Sequence, residues 1–158
     1  MAPFQLDSLD VKILRIIIGN ARVPFLEVAR ECGVSGAAIH QRVQKLMNMG
    51  VITGSEFTIE PAKVGYETCT FMGLYLKDPS RFSEVVDALY QIPEVLECHY
   101  TTGKYDLFIK IYARNNKHLL EIIHTKLQPL GLSGTESLIS FKEAFKRQLP
   151  IPDAADED

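Results

Sequence analysis

The alternation of two hydrophobic periods between Thr68 and Phe141 restricts the fold of this chain more than any other feature. Segments 68–76, 95–102, 105–113 and 136–141 read as strands, whereas 81–90 and 117–127 carry apolar residues at helical spacing. The resulting order is βαββαβ, that of the split-βαβ, ferredoxin-like sandwich. Phe82, Val85, Val86 and Leu89 form one helical stripe, and Leu119, Leu120, Ile123 and Leu127 form the other, so both helices have a face to bury against one side of a sheet. The strands are apolar on both faces. Met72, Leu74 and Leu76 alternate with Phe71 and Tyr75, and Leu107, Ile109 and Ile111 alternate with Phe108 and Tyr112. Helices on one side cannot cover both sets, so the leftover aromatic face is expected to meet another subunit.

The first 60 residues follow a different pattern. Asp7-Ser8-Leu9-Asp10 supplies a polar N-cap with acid in the first turn, and Leu9, Ile13, Ile16 and Ile17 are helically spaced before Gly19-Asn20, which predicts a helix over about 8–19. Pro24 opens a second helix, Phe25 to Cys32, and Gly33 stops it. Ser35 is a good N-cap for a third, Val34 and Ile39 occupy the positions of a hydrophobic staple, and Gly50 ends it. Two helices joined by a tight glycine-containing turn describe a helix-turn-helix. The β-rich stretch Val51–Ile59, with Gly54 at its centre, is expected to form a wing. Pro61 to Gly65 then breaks the pattern as a linker. The expected organisation is a winged helix-turn-helix over 1–62, a ferredoxin-like α+β domain over 63–150 and an acidic, disordered tail over 151–158.

Charge is distributed unevenly. Residues 1–60 contain six basic and six acidic side chains, so the whole net charge of −3 belongs to the remainder. Between Cys32 and Ser55 there is no acidic residue, and His40, Arg42 and Lys45 fall there. On a wheel of roughly 100° per residue, Ile39, Val43, Leu46 and Met47 share one sector of the third helix. Ala37, Gln41, Gln44 and Asn48 lie opposite, flanked by Lys45 and His40, with Arg42 nearer the apolar edge. Gln and Asn can bond bidentately to adenine, while Arg, Lys and a helix N-terminus can hold phosphates. Such a face on an isolated helix is more often merely solvated. A helix-turn-helix, a wing and an acid-free stretch together favour double-stranded DNA as a partner. Ser35, Ala37, His40, Gln41, Arg42, Gln44 and Lys45 are the candidate contacts.

These residues resemble the Lrp/AsnC family, the leucine-responsive, asparagine-type or feast/famine regulators. The resemblance covers about residues 6–150. It rests on Leu6-Asp7-Ser8-Leu9-Asp10-Val11-Lys12-Ile13-Leu14, on Gly33-Val34-Ser35 followed by Arg42-Val43-Gln44-Lys45-Leu46, on Gly50-Val51-Ile52-Thr53-Gly54, and on Thr102-Gly103-Lys104-Tyr105-Asp106. It implies a transcription regulator, assembled as a homo-oligomer from dimer to octamer, whose C-terminal half binds an amino-acid effector. One departure is that the family's recognition helix usually carries more Lys and Arg than this one. In the family the matching Gly-x-x-Asp loop lines an effector pocket between dimers. Here Gly103 can adopt φ > 0 and Asp106 can face an ammonium group while main-chain amides receive a carboxylate; equally, Gly and Asp can simply make a hairpin turn. Thr101, Thr102, Thr135, Glu136 and Ser137 are candidate hydrogen-bonding neighbours.

Other chemistry is not indicated. Wholly apolar runs such as Ile16-Ile17-Ile18 are far below the roughly 18 residues a membrane span needs. No leader is recognisable, and three cysteines in no CxxC spacing suit a reducing cytoplasm. Cys98 and His99 are adjacent in a strand and point apart, and His118 and His124 are poorly spaced for one metal. No catalytic motif, cofactor or metal is expected. Two other functions fit the same pattern: an architectural DNA-wrapping protein without small-molecule response, and an accessory protein whose head binds another protein.

Overall fold

The computed structural model describes residues 5–154. It divides into two compact units, one made of Met1–Phe57 with Phe145–Asp158 and the other of Thr58–Ala144. The chain therefore crosses between them twice.

In the first unit α1 (Ser8–Ile17) begins with a capping box: the Asp7 side chain accepts from Asp10 N, and the Asp10 side chain accepts from Asp7 N. The helix ends two residues before the expected Gly19, with Ile18 as its C-cap. Helix α2 (Phe25–Cys32) stops at Gly33, whose φ of +69° is the left-handed conformation that glycine adopts without a Cβ clash. Helix α3 (Gly36–Asn48) follows after the three-residue turn Gly33-Val34-Ser35, its N-cap Ser35 accepting from Ala38 N at 3.1 Å. Ile13, Val28, Ala29 and Ile39 form the buried centre, closed by Leu9, Ile16, Phe25, Val34 and Val43.

The expected wing is a correction. Val51 N and Ile52 N both donate to Leu46 O, and Thr53–Glu60 are exposed and contain no strand. Gly54 lacks the positive φ that a two-residue hairpin turn requires, and an unsupported two-stranded hairpin is marginal in water. Phe57 lies exposed under the Arg22 guanidinium, 5.3 Å from ring centre.

The second unit is a four-stranded antiparallel sheet of order β2-β3-β1-β4, formed by β1 (Thr68–Leu76), β2 (Val95–Tyr100), β3 (Leu107–Ala113) and β4 (Leu132–Ser140). Helices α4 (Phe82–Tyr90) and α5 (Asn116–Ile122), the latter continued by a π-helical turn Ile123–Leu127, cover one face. Met72, Leu74, Leu107, Ile109 and Ile111 are fully buried there with Leu89, Ile122 and Leu127. Strand β4 starts four residues before the expected Glu136.

The other sheet face carries Phe71, Tyr75, Phe108 and Tyr112, all half-buried, beside the exposed Leu138. Phe71 and Phe108 stack with centroids 6.1 Å apart. The Lys110 ammonium lies over the rings of Phe71 and Tyr112 and 3.6 Å from Glu97, only 9% exposed on a face no helix covers.

The tail differs from the solvated segment expected. Residues 155–158 lie outside the described residues. Ile151 is half-buried, and the Arg15 guanidinium donates to Ile151 O at 3.0 Å and to Asp153 Oδ1 at 2.7 Å.

Candidate recognition helix and effector site

Helix α3 buries Ile39 and Leu46 completely, which turns the intervening polar residues outward. His40, Gln41, Gln44, Lys45 and Asn48 line one shallow, open concavity along its length. Gln44 Nε2 donates to Asn48 Oδ1 at 2.9 Å, which ties two base-reading types of side chain into one row. The His40 ring meets the Phe25 ring edge-on at 4.4 Å, and this contact orients the imidazole. Ala37 is exposed and small, so the first turn can approach a surface closely. Ser35 satisfies the Ala38 N–H, and the N–H groups ahead of it have no intrahelical acceptor, as an anion site at a helix start requires.

Arg42 does not join this row. It was expected to hold phosphate, but its Nη1 is paired with Asp7 Oδ2 and lies 3.1 Å from Asp10 Oδ1. Asp10 is 2% exposed. The same two carboxylates that cap α1 thus clamp α3 to it, and a guanidinium so occupied is structural. The Asp7 carboxyl is held below the usual 3.8 by the Asp10 N–H it accepts and by Arg42, against the opposing effect of partial burial.

The second candidate site lies at the Leu74–Leu76 end of β1. Gly103 has φ +102°, and Thr101 Oγ1 donates to Tyr105 O at 3.5 Å across the loop. Asp106 N donates to Leu74 O, and Asp106 Oδ2 accepts from Leu76 N at 2.7 Å. One carboxylate oxygen therefore fixes the loop to the strand, while Oδ1 has no hydrogen-bond partner among the described residues. Thr102 is exposed beside it.

Glu136 accepts from Tyr75 Oη at 3.0 Å, from Tyr105 Oη at 2.6 Å and from Lys104 Nζ at 3.0 Å. The Tyr105 hydroxyl, Lys104 and the Tyr75 hydroxyl, in that order, pull the Glu136 carboxyl down to about 2. In return the Glu136 acceptor, with desolvation, pushes the Tyr105 phenol up, and desolvation followed by Glu136 pushes Tyr75 up, against the opposing charge of Lys104. Thr135 and Ser137 do not join it. They pair with Leu74 and Met72, whose side chains are buried on the helix side, so the strand's period of two points them away from the Glu136 face.

Lys104, Tyr75, Tyr105 and Gly73 belong to this cluster and were missed from the sequence. Gly73 carried the signal. A Cβ there would sit 2.2 Å from Tyr105 Cδ1, so the only glycine inside β1 is what lets Tyr105 lie across the strand and reach Glu136.

Residues 6–53 match the family model for winged helix-turn-helix DNA-binding domains, and residues 69–150 match that for the Lrp/AsnC ligand binding domain. The chain is 38% identical to the regulatory protein AsnC of Haemophilus influenzae over 92% of its own length and 97% of the relative's. The structure of Escherichia coli AsnC superposes with a TM-score of 0.88 at 34% identity, covering 93% of this chain and 99% of that one. A transcriptional regulator from Neisseria meningitidis, solved in complex with L-methionine, shares the fold at 21% identity and a TM-score of 0.86, over 93% and 96% of the two chains. A helix-turn-helix head on a split-βαβ unit, with full-length likeness to AsnC proteins, leaves one conclusion: the chain belongs to the Lrp/AsnC family of transcriptional regulators.

Proposed function

We propose that this regulator is a cytoplasmic, amino-acid-responsive homo-oligomer that reads DNA through the α3 row and takes its effector at the Gly103 loop. The observation that carries the reading is the meeting of opposite charges at one end of β1. A free amino acid presents an ammonium and a carboxylate a few ångströms apart. Asp106 Oδ1 and the ionised Glu136 offer acceptors for the first, and Lys104 with the main-chain amides around Gly103 offers donors for the second. Thr101 and Thr102 border the same loop. The matched ligand-binding family model supports a small-molecule role for this unit.

The half-buried aromatic face, with Lys110 desolvated between two rings, supports packing against a second copy of the chain. All three cysteines are free, which suits a reducing compartment. On α3, Gln41 and Gln44 are assigned to bases, and Lys45, His40 and the Ser35–Ala37 start to phosphates.

Calorimetry of the full chain against each of the twenty amino acids tests the effector reading. At least one should bind, and Asp106→Ala and Glu136→Gln should each weaken it at least tenfold while DNA affinity without ligand stays within twofold. Gly103→Val should abolish binding because a β-branched residue is strained at φ +102°. Undiminished ligand binding in both carboxylate variants would place the pocket elsewhere.

A further inference from the structure

Residues 141–150 are exposed throughout, and the chain then docks again at Ile151–Ala154. Ile151 and Ala154 are half-buried, and a single Arg15 nitrogen, Nη2, is bonded to both Ile151 O and Asp153 Oδ1. The contact is therefore made by an anchor at the far end of an exposed strap. Its polar part is shallow, with Arg15 and Asp153 side chains 49% and 93% exposed, and a pair of that kind is weak enough to open readily.

The charges make this placement consequential. The part of the head unit that precedes Ile151, residues 1–57 and 145–150, holds eight basic side chains against five acidic ones, with Lys146 and Arg147 among the basic. The sequence beyond Pro150 adds Asp153, Asp156, Glu157 and Asp158 and no base, which changes the unit from net positive to slightly negative. While Asp153 is bonded to Arg15 on α1, chain connectivity limits the reach of the five residues that follow to at most roughly 18 Å, which is about two Debye lengths at ordinary salt. A DNA-binding unit with so small a positive charge is sensitive to a cluster of anions tethered to it.

We infer that the outer surface of α1 at Arg15 is a docking site for the chain's own acidic C-terminal end, and that the docked end is an autoinhibitory contact that weakens phosphate binding by the head. Nothing in the effector proposal is needed for this. The device works by electrostatic attenuation: while Asp153 is held, the approach of a phosphate backbone meets added negative charge, and release of the strap removes it.

Three variants test it in gel shifts with a random-sequence duplex: the chain ending at Pro150, the full-length quadruple neutralisation Asp153→Asn, Asp156→Asn, Glu157→Gln and Asp158→Asn, and full-length Arg15→Lys. The first two should bind about threefold to tenfold tighter at 50 mM salt, with the gain shrinking below twofold at 300 mM, because the effect is screened. Arg15→Lys keeps the charge but replaces the guanidinium that reaches both Ile151 O and Asp153. It should tighten binding about twofold in the full chain and change nothing in the chain ending at Pro150. Unchanged or weaker binding after truncation would overturn the autoinhibition, and an equal Arg15→Lys effect in both backgrounds, including none, would overturn the docking.

Discussion

Replacing Arg42 by alanine separates a clamp from a phosphate contact. In the native head Asp10 is 2% exposed, its Oδ1 faces Arg42 and its Oδ2 accepts from Asp7 N. Without the guanidinium a buried carboxylate loses its counter-charge. Breaking a fully buried pair costs about 3–5 kcal/mol, whereas an exposed pair is worth about 0–1 kcal/mol. Arg42 is 31% and Asp7 43% exposed at the side chain, so the Asp7 half of the clamp belongs near the lower figure and the Asp10 half near the upper. An upper bound comes from the escape open to any stranded carboxylate, protonation, which costs about 4 kcal/mol at pH 7. The loss should therefore be about 2–4 kcal/mol.

The sequence provides the assay. All six tyrosines lie in the Thr58–Ala144 unit and there is no tryptophan, so tyrosine fluorescence reports that unit while helical circular dichroism reports both. Arg42→Ala should move the helix-weighted urea transition to lower denaturant, by about 2 M or more at an m-value of roughly 1 kcal/mol/M, and leave the tyrosine transition in place. Because the fold lowers the Asp7 carboxyl, that part of the stability is complete above the ordinary carboxylate range and is lost as pH falls through a value below 3.8. The gap between wild type and variant should accordingly narrow in acid. An unshifted helical transition combined with uniformly weaker DNA binding would show that Arg42 is a phosphate contact after all.

Further outcomes can be stated for the rest of the chain. Gln41→Ala or Gln44→Ala should reduce discrimination between specific and random duplexes by about 1–3 kcal/mol, and Lys45→Ala should weaken both and lower the salt slope by about one; equal loss on both duplexes for the glutamine variants would defeat base reading. Gly73→Ala should displace Tyr105, at a cost of about 1–3 kcal/mol in the tyrosine transition, and should raise the Glu136 titration above its value of about 2 by removing its first-ranked donor, as read by carbon-13 carboxyl shifts. Thr70 Oγ1 is buried without a hydrogen-bond partner among the described residues, so Thr70→Val should stabilise the sheet unit by about 1 kcal/mol. The fragment beginning at Lys63 should remain at least dimeric in light scattering at micromolar concentration, and a monomer would refute the proposed use of the aromatic face.

Local signals were legible and distant ones were not. Ser35, Gly33 and Gly50 announce the ends of helices because caps act within three or four residues, and the α2–α3 turn is where those letters put it. The sheet was readable because a period of two survives any register. The same period, applied to Thr135-Glu136-Ser137, separates Glu136 from its neighbours. Arg42 was misassigned because its partners are 32 and 35 residues away, although its place near the apolar edge of the wheel already favoured an inward role. The wing failed because β-propensity describes fit to a sheet, and no neighbouring strand is there to supply one. Composition misjudged the start of the tail for a related reason: Asp153 looks solvated until Arg15, 138 residues earlier, is placed beside it.

With Arg42 withdrawn into the clamp and Arg15 engaged by the C-terminal strap, α3 itself offers Lys45 and His40 to a phosphate backbone. At about 0.9 counterions released per phosphate contact, a head with two contacts loses only about tenfold in affinity between 50 and 200 mM salt, and its starting affinity is correspondingly low. A second head on the same assembly meets its half-site at an effective concentration in the millimolar range when the geometry fits. Even a weak head then raises the affinity of the pair steeply, and does so only on DNA whose sites match the spacing of the heads. The proposed amino-acid site and the aromatic face belong to the sheet unit that would set this spacing. A ligand there can act on DNA binding by changing which heads are held together, without altering any contact made by α3.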